Sequence, residues 1–98
     1  MIESQFERKL VRWCRSQNIL CLKNNANWYR NFPDRTIVLP GEPNIAFFLE
    51  LKRPGEKPRP GQVNRLRRLR RMGYHAVYVD DLHEAIVVIQ NVRYSQQE

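Results

Sequence analysis

Three side chains in this 98-residue sequence are of types that could carry out hydrolytic chemistry together. Asp34 follows Pro33, and Glu50 and Lys52 close the apolar run that starts at Ile45. Alternate residues of a strand share a face, so Glu50 and Lys52 point to one side and Leu49 and Leu51 to the other. A carboxylate and an amine at the end of such a strand cost free energy unless each has a partner. Magnesium and manganese take hard oxygen ligands and keep several waters. Asp34 and Glu50 could supply two carboxylates to such an ion, and the backbone carbonyl of Leu51 a third ligand. A cation held there would acidify water and offset charge developing on a phosphodiester. Lys52 would then orient the nucleophile or stabilise that charge. The constellation suits phosphodiester hydrolysis.

The elements that must position these residues can be read from spacing. Apolar residues at Ile2, Phe6, Leu10, Trp13 and Cys14 predict an amphipathic helix from Ile2 to about Gln17. Ile19 to Leu22 reads as a short strand, Asn24 to Asn27 as a turn, and Trp28 to Asn31 as an exposed aromatic and basic loop. Arg35 to Leu39 is a second strand and Ile45 to Lys52 a third, joined across Pro40-Gly41-Glu42-Pro43 as an antiparallel hairpin. The prolines and glycines between Arg53 and Gly61 demand a loop. Val63, Leu66, Leu69 and Met72 define the buried side of a helix from Gln62 to Met72, and Gly73 is placed to end it. His75 to Val79 is a fourth strand. Asp80-Asp81 offers a cap for a last helix from Leu82 to about Gln90, with residues from Arg93 onward frayed. The expected fold class is α/β, a mixed sheet flanked by helices in the order αβββαβα.

Length limits the chain to one domain, residues 1–98, and a hydrophobic fraction of 42% argues that it folds. Lys and Arg number 17 against 10 acids, a net charge of +7 that suggests a polyanionic partner, nucleic acid before an acidic membrane surface. From Lys52 to Arg71 there are nine basic residues and only one acid, Glu56, so the charge follows directly on the Glu-x-Lys strand. Lys52, Arg53, Lys57, Arg59, Arg65 and Arg68 are the candidate phosphate contacts. Trp28, Tyr29 and Arg30 could stack on an unpaired base or wedge a junction, although core packing of Trp28 accounts for it equally well. Cys14 and Cys21 have neither zinc-site spacing nor a disulfide framework, and no stretch approaches membrane-spanning length. An intracellular, cytoplasmic protein is expected.

Pro33-Asp34 followed by Glu50-Leu51-Lys52 resembles the signature of the PD-(D/E)xK nuclease superfamily. The surrounding text is similar to its VRR-NUC branch: a glutamate-bearing first helix, Asn24-Asn25, Phe-Pro-Asp-Arg leading into an apolar strand and Leu-Pro-Gly, then Glu-Leu-Lys-Arg-Pro-Gly-x-Lys-Pro-Arg-Pro-x-Gln. The likeness runs from Glu3 to about Ile89. It implies a restriction-endonuclease-like core, Asp34 and Glu50 as ligands of Mg2+ or Mn2+, Lys52 as the catalytic lysine and Gln62 close to the active site. It also implies a first-helix glutamate there, either Glu3 or Glu7, which lie four apart on one helical face. Resemblance to stand-alone VRR-NUC proteins and junction resolvases implies a homodimer acting on branched DNA, such as a four-way (Holliday) junction. The family pattern has glycine where this chain has Asn18 and Phe32.

Each residue also has a structural explanation. Asp34 could be a turn residue, Glu50 and Lys52 an ion pair at a sheet edge, Gln62 a helix cap, and the arginines a solvated helix face. His75 and His83 read as structural. A non-catalytic nucleic-acid-binding module with the same fold is the alternative function, and a scaffold for an acidic partner a third.

Overall fold

The computed structural model describes residues 4–25, 29–41 and 45–95. Helix α1 (Gln5–Ser16) starts where the Ser4 hydroxyl accepts a hydrogen bond from the Glu7 backbone N–H, a side-chain cap for an otherwise unsatisfied donor. It ends in a paired closure, with Ile19 N–H donating to the Cys14 carbonyl at 2.9 Å and Asn18 N–H to the Arg15 carbonyl at 3.3 Å. That closure requires a left-handed residue, and Asn18 adopts φ 58°.

Strands β1 (Leu20–Lys23), β2 (Arg35–Leu39) and β3 (Ile45–Leu51) form an antiparallel meander. Helix α2 (Pro60–Arg71) then carries the chain to β4 (Ala76–Val79), which pairs parallel with β3. The sheet is therefore mixed, in the order β1-β2-β3-β4, and α3 (Leu82–Ser95) closes the fold. Pro60 opens α2, where its missing N–H costs nothing. Gly73, at φ 99°, ends it as its position suggested. The Asp81 carboxylate caps α3 by accepting from the Glu84 N–H at 2.6 Å.

One face of the sheet carries the main core. Ile37, Leu39, Phe47, Leu49 and Val79 pack against Leu10 and Cys14 of α1 and Ala85, Ile89 and Val92 of α3. Val92 also explains why α3 continues to Ser95 instead of stopping near Gln90. It extends the buried stripe of Ala85 and Ile89 by one more helical step, so Arg93, Tyr94 and Ser95, expected to fray, continue the helix. On the opposite face lie the buried Ala76 and Leu66, the latter from α2. The expected stripe on α2 is only partly buried. A three-residue spacing turns about 60° backwards per step on a helix of 3.6 residues per turn, so Leu66 is 3% exposed but Met72 is 63% exposed.

The first turn of α2 presses on the loop that leads to Asp34. A Cβ built at Gly61 would run into the side-chain amide of Asn31, itself at φ 66°. Gly61→Ala forces the Asn31 side chain to move and is therefore expected to destabilise by up to about 1 kcal/mol in urea unfolding, despite the better helix propensity of alanine. Adding Asn31→Gly, which removes the obstructing amide and suits the positive φ, should recover most of the loss. A stabilised single variant would contradict this account of the contact.

Candidate active site

Asp34 sits just ahead of β2, whose register pairs Arg35 with Leu49, so the acid arrives beside the carboxyl end of β3. It is pinned there: the Leu51 backbone N–H donates to its Oδ2 at 2.8 Å. The segment is held from the other side by Asn24. The Asn24 backbone N–H donates to the Asp34 carbonyl at 2.9 Å, its side-chain amide donates to the Pro33 carbonyl at 3.0 Å, and its Oδ1 accepts from the Thr36 hydroxyl at 3.0 Å. From the sequence, Asn24 reads as a turn former and as part of the family resemblance, with no contact assigned to its side chain. The signal available was an amide residue just past the end of a strand, a type that can hydrogen-bond backbone from either end of its side chain.

Glu50 is 2% exposed, and its Oε2 has no hydrogen-bond partner among the described residues. Burial pushes its carboxyl up to about 9, and the neighbouring Asp34 carboxyl adds to the rise; the charges of Lys52 and Arg59 act in the opposite direction. Two ionised carboxylates are acceptors only and cannot satisfy one another. The pair needs either a proton between them or a cation. An orphaned buried oxygen beside a second carboxylate, with oxygen donors only, fits a small hard divalent ion.

The structure thus brings Asp34, Glu50 and Lys52 into one neighbourhood and adds Arg59. Lys52 is half-buried, and its backbone N–H donates to the Val79 carbonyl at 2.9 Å. It borders a cavity of about 610 Å3 together with Glu7, Leu51 and Arg53. Gln62 is buried, and its Oε1 accepts from the Arg59 N–H at 2.9 Å. It closes the first turn of α2 and so fixes the backbone that carries Arg59.

Glu7 reaches the Arg35 guanidinium at 3.3 Å, with the Arg35 side chain only 5% exposed. Sequence reasoning assigned Arg35 no role, because a charged residue at the start of a short strand looks solvent-facing until α1 covers it. Glu3 and Trp28 lie outside the described residues. Tyr29, expected to be exposed, is half-buried instead. The Arg65 guanidinium stacks 4.1 Å from its ring centroid and donates to its hydroxyl at 3.0 Å, and the Arg65 Nε donates to the Arg30 carbonyl at 3.1 Å. Arg30, Arg53, Lys57, Arg59 and Arg68 are exposed.

Two further clusters lie elsewhere. Asp80, Asp81 and Glu84 gather at the start of α3, where Asp80 accepts from the Gly55 N–H and Asp81 caps the helix. The Glu84 carboxyl is raised by its hydrogen bond to Asp80, then by partial burial and by the like charges beside it. Cys14 and Cys21 form no disulfide, and the hydrogen bond between them, together with burial, raises the Cys14 thiol.

No family model matches the chain. It is 35% identical over 78 residues to "Putative nuclease p44" of Acyrthosiphon pisum secondary endosymbiont phage 1, covering 80% of this chain and 82% of the phage protein. Its fold is similar to that of a solved "VRR_NUC domain", with a TM-score of 0.77 at 21% identity over 88% of this chain and 91% of the other. A solved "VRR_NUC domain protein" superposes with a TM-score of 0.64 at 18% identity, covering 92% of this chain and 89% of that one.

Two outcomes follow from the geometry. Glu7→Ala removes one carboxylate from the buried Arg35 guanidinium and should cost about 1–2 kcal/mol in thermal or urea unfolding; unchanged stability would mean that the pair is not structural. The second concerns Glu50. Below its ordinary value of 4.5 both folded and unfolded chains hold the proton, and above about 9 neither does. In between only the folded chain holds it, so the stability of metal-free protein should fall as pH rises from 5 towards 9. Glu50→Gln should flatten that slope and raise the Tm at pH 8, each kcal/mol recovered appearing as about 4–8 °C. A wild-type profile already flat over this range would refute the assignment.

Proposed function

Because the chain belongs to the VRR-NUC nuclease family, we propose that it is a divalent-metal-dependent DNA endonuclease whose active site is built on Asp34, Glu50 and Lys52. The observation that carries this reading is the Glu50 carboxylate, buried against Asp34 with no donor on its Oε2. Asp34 and Glu50 would hold Mg2+ or Mn2+, with the Leu51 carbonyl as a third ligand. The bound ion supplies a positive centre that lowers the pKa of water and offsets charge on the phosphodiester.

The remaining work falls to the chain itself. Asp34 is locked to β3 through the Leu51 N–H, so the two carboxylates need no rearrangement to act together. Lys52, tied to β4 through its backbone, lies within electrostatic reach of Glu50, where its ammonium would orient the attacking water or stabilise the developing negative charge. In the hydrolysis, the water oxygen bonds to phosphorus as the bond to the leaving sugar oxygen breaks, and one proton of the water is released while the leaving oxygen gains one. Arg59 faces the same carboxylate, and with Lys52, Arg53, Lys57 and Arg68 it offers positive charge to the flanking phosphates. Gln62 acts by holding Arg59, and Glu7 by holding Arg35.

A branched substrate, with a four-way junction as the favoured form, and a homodimer complete the reading. Two sites related by a two-fold axis would cut symmetrically placed strands. Strand β1 is an edge of the sheet and leaves Leu20 57% and Leu22 48% exposed, which offers an apolar margin to a second copy. Among the described residues no helix is long and apolar enough to cross a membrane.

Labelled four-way junction, flap and linear duplex, incubated with Mg2+ or Mn2+ and separately with a chelator, test the reading. Cleavage is expected with metal alone, strongest on the junction. Asp34→Ala and Lys52→Ala should each lower the rate by at least about a hundredfold while DNA affinity stays within a few-fold of wild type. DNA binding with no metal-dependent cleavage would identify a binding module instead.

A further inference from the structure

A second cavity, of about 340 Å3, lies between the loop before Asp34 and the later turns of α2, and the hydrolytic site does not use it. Tyr29, Phe32, Leu69 and Met72 supply apolar walls, and Arg65 and Arg68 stand at its margin. Its size is at the lower end of the range of about 300–1,000 Å3 usual for sites that enclose a small organic group. The lining combines two demands that few ligands meet together. An aliphatic side chain would fill the apolar part but strip water from the exposed Arg68 guanidinium without compensation. A small anion would satisfy Arg68 but leave the walls unfilled. A nucleobase on a phosphodiester chain meets both, with a flat π-face for the ring and thioether walls and a phosphate for Arg68.

The walls are already organised. Tyr29 meets Phe32 edge to face at 5.9 Å, Phe32 meets Phe48 at 5.4 Å, and Phe48 meets Tyr74 at 5.6 Å. This row of rings ties the cavity to the active site, because Phe32 and Phe48 lie on the same two segments that carry Asp34 and Glu50. From Phe32 to Asp34 the chain spans at most about 7 Å, roughly two base steps of 3.4 Å along a strand. The Arg65 plane, stacked on Tyr29, stays put without a ligand.

We propose that this cavity receives one unpaired base of the nucleic acid strand, displaced from its stack next to the phosphodiester that the Asp34 and Glu50 site cleaves. The inference rests on the nuclease reading and deepens it. Stacking a base on aromatic walls returns no more free energy than extracting a paired base from a duplex requires, whereas a bulged or branch-point base needs little extraction. The cavity therefore selects DNA that already presents a free base, and linear duplex is left out.

Binding in EDTA, followed by fluorescence anisotropy at fixed salt, isolates this step from cleavage. Three duplexes are compared: fully paired, carrying one bulged adenine, and carrying one bulged abasic nucleotide. Wild-type protein should bind the bulged adenine about tenfold tighter than the paired duplex, and the abasic bulge no better than about twofold. Phe32→Ala should reduce the adenine preference to about twofold. Met72→Lys, at an exposed position that tolerates change, should do the same while leaving affinity for paired duplex equal or higher, because it adds a cation as it spoils the wall. Equal affinity of wild type for paired and bulged DNA, a preference retained on the abasic bulge, or a preference untouched by Met72→Lys would each overturn the proposal. The same DNAs with Mn2+ separate it from the nuclease reading: cleavage without base preference removes the cavity's role alone, and base preference without cleavage removes the nuclease instead.

Discussion

An ionisable carboxyl group inside an apolar sheet is tolerated only under strict conditions, and Glu50 sets the condition that the rest of this structure meets. Its side chain is 2% exposed, beside a second carboxylate, so desolvation and like charge both work against its ionised form. A chain selected for stability alone would place an amide or an aliphatic group there. What keeps the acid functional is that its neighbours are positioned in advance. Asp34 is fixed by the Leu51 N–H, and Lys52 and Arg59 bring positive charge to bear from the strand end and from the N-terminus of α2. A local instability that the surrounding fold over-determines is what the proposed metal-dependent site would require.

The supporting contacts form a hierarchy. Asn24 clamps Pro33 and Thr36 on either side of Asp34, so the acid cannot swing out with the loop. Gln62 closes the α2 N-terminus on Arg59, and Gly61 allows that same turn to approach Asn31. On the far face of the sheet, Glu7 of α1 meets the buried guanidinium of Arg35 at the start of β2. None of these groups needs to touch a substrate. Each removes a degree of freedom from one that would.

Helix α2 divides its labour by angle. Its buried positions hold the second face of the sheet, its arginines meet solvent, and the slow drift of its apolar spacing leaves Met72 on the margin between the two. That margin is where the aromatic row of Tyr29, Phe32 and Phe48 approaches. The Phe32 ring fills space two residues before Asp34. The basic charge of the chain is likewise not uniform in use: Arg65 is occupied by Tyr29 and Arg70 by the Ala76 carbonyl, while Arg68 remains presented to solvent.

Element order, strand identities, the caps at Asp81 and Gly73 and the pairing of Asp34 with Glu50 were all legible in the sequence, because they depend on local periodicity, on backbone preferences of single residues and on a short motif whose spacing reflects strand geometry. What the sequence could not disclose were relations between residues far apart in the chain: the Arg35 charge met by Glu7, the clamp made by Asn24, the stacking of Arg65 on Tyr29, and the exposure of Met72 at the end of a stripe that looked buried throughout. Those depend on which surfaces the folded chain brings into contact, and a carboxylate can find its guanidinium across 28 positions only after a helix and a sheet have packed.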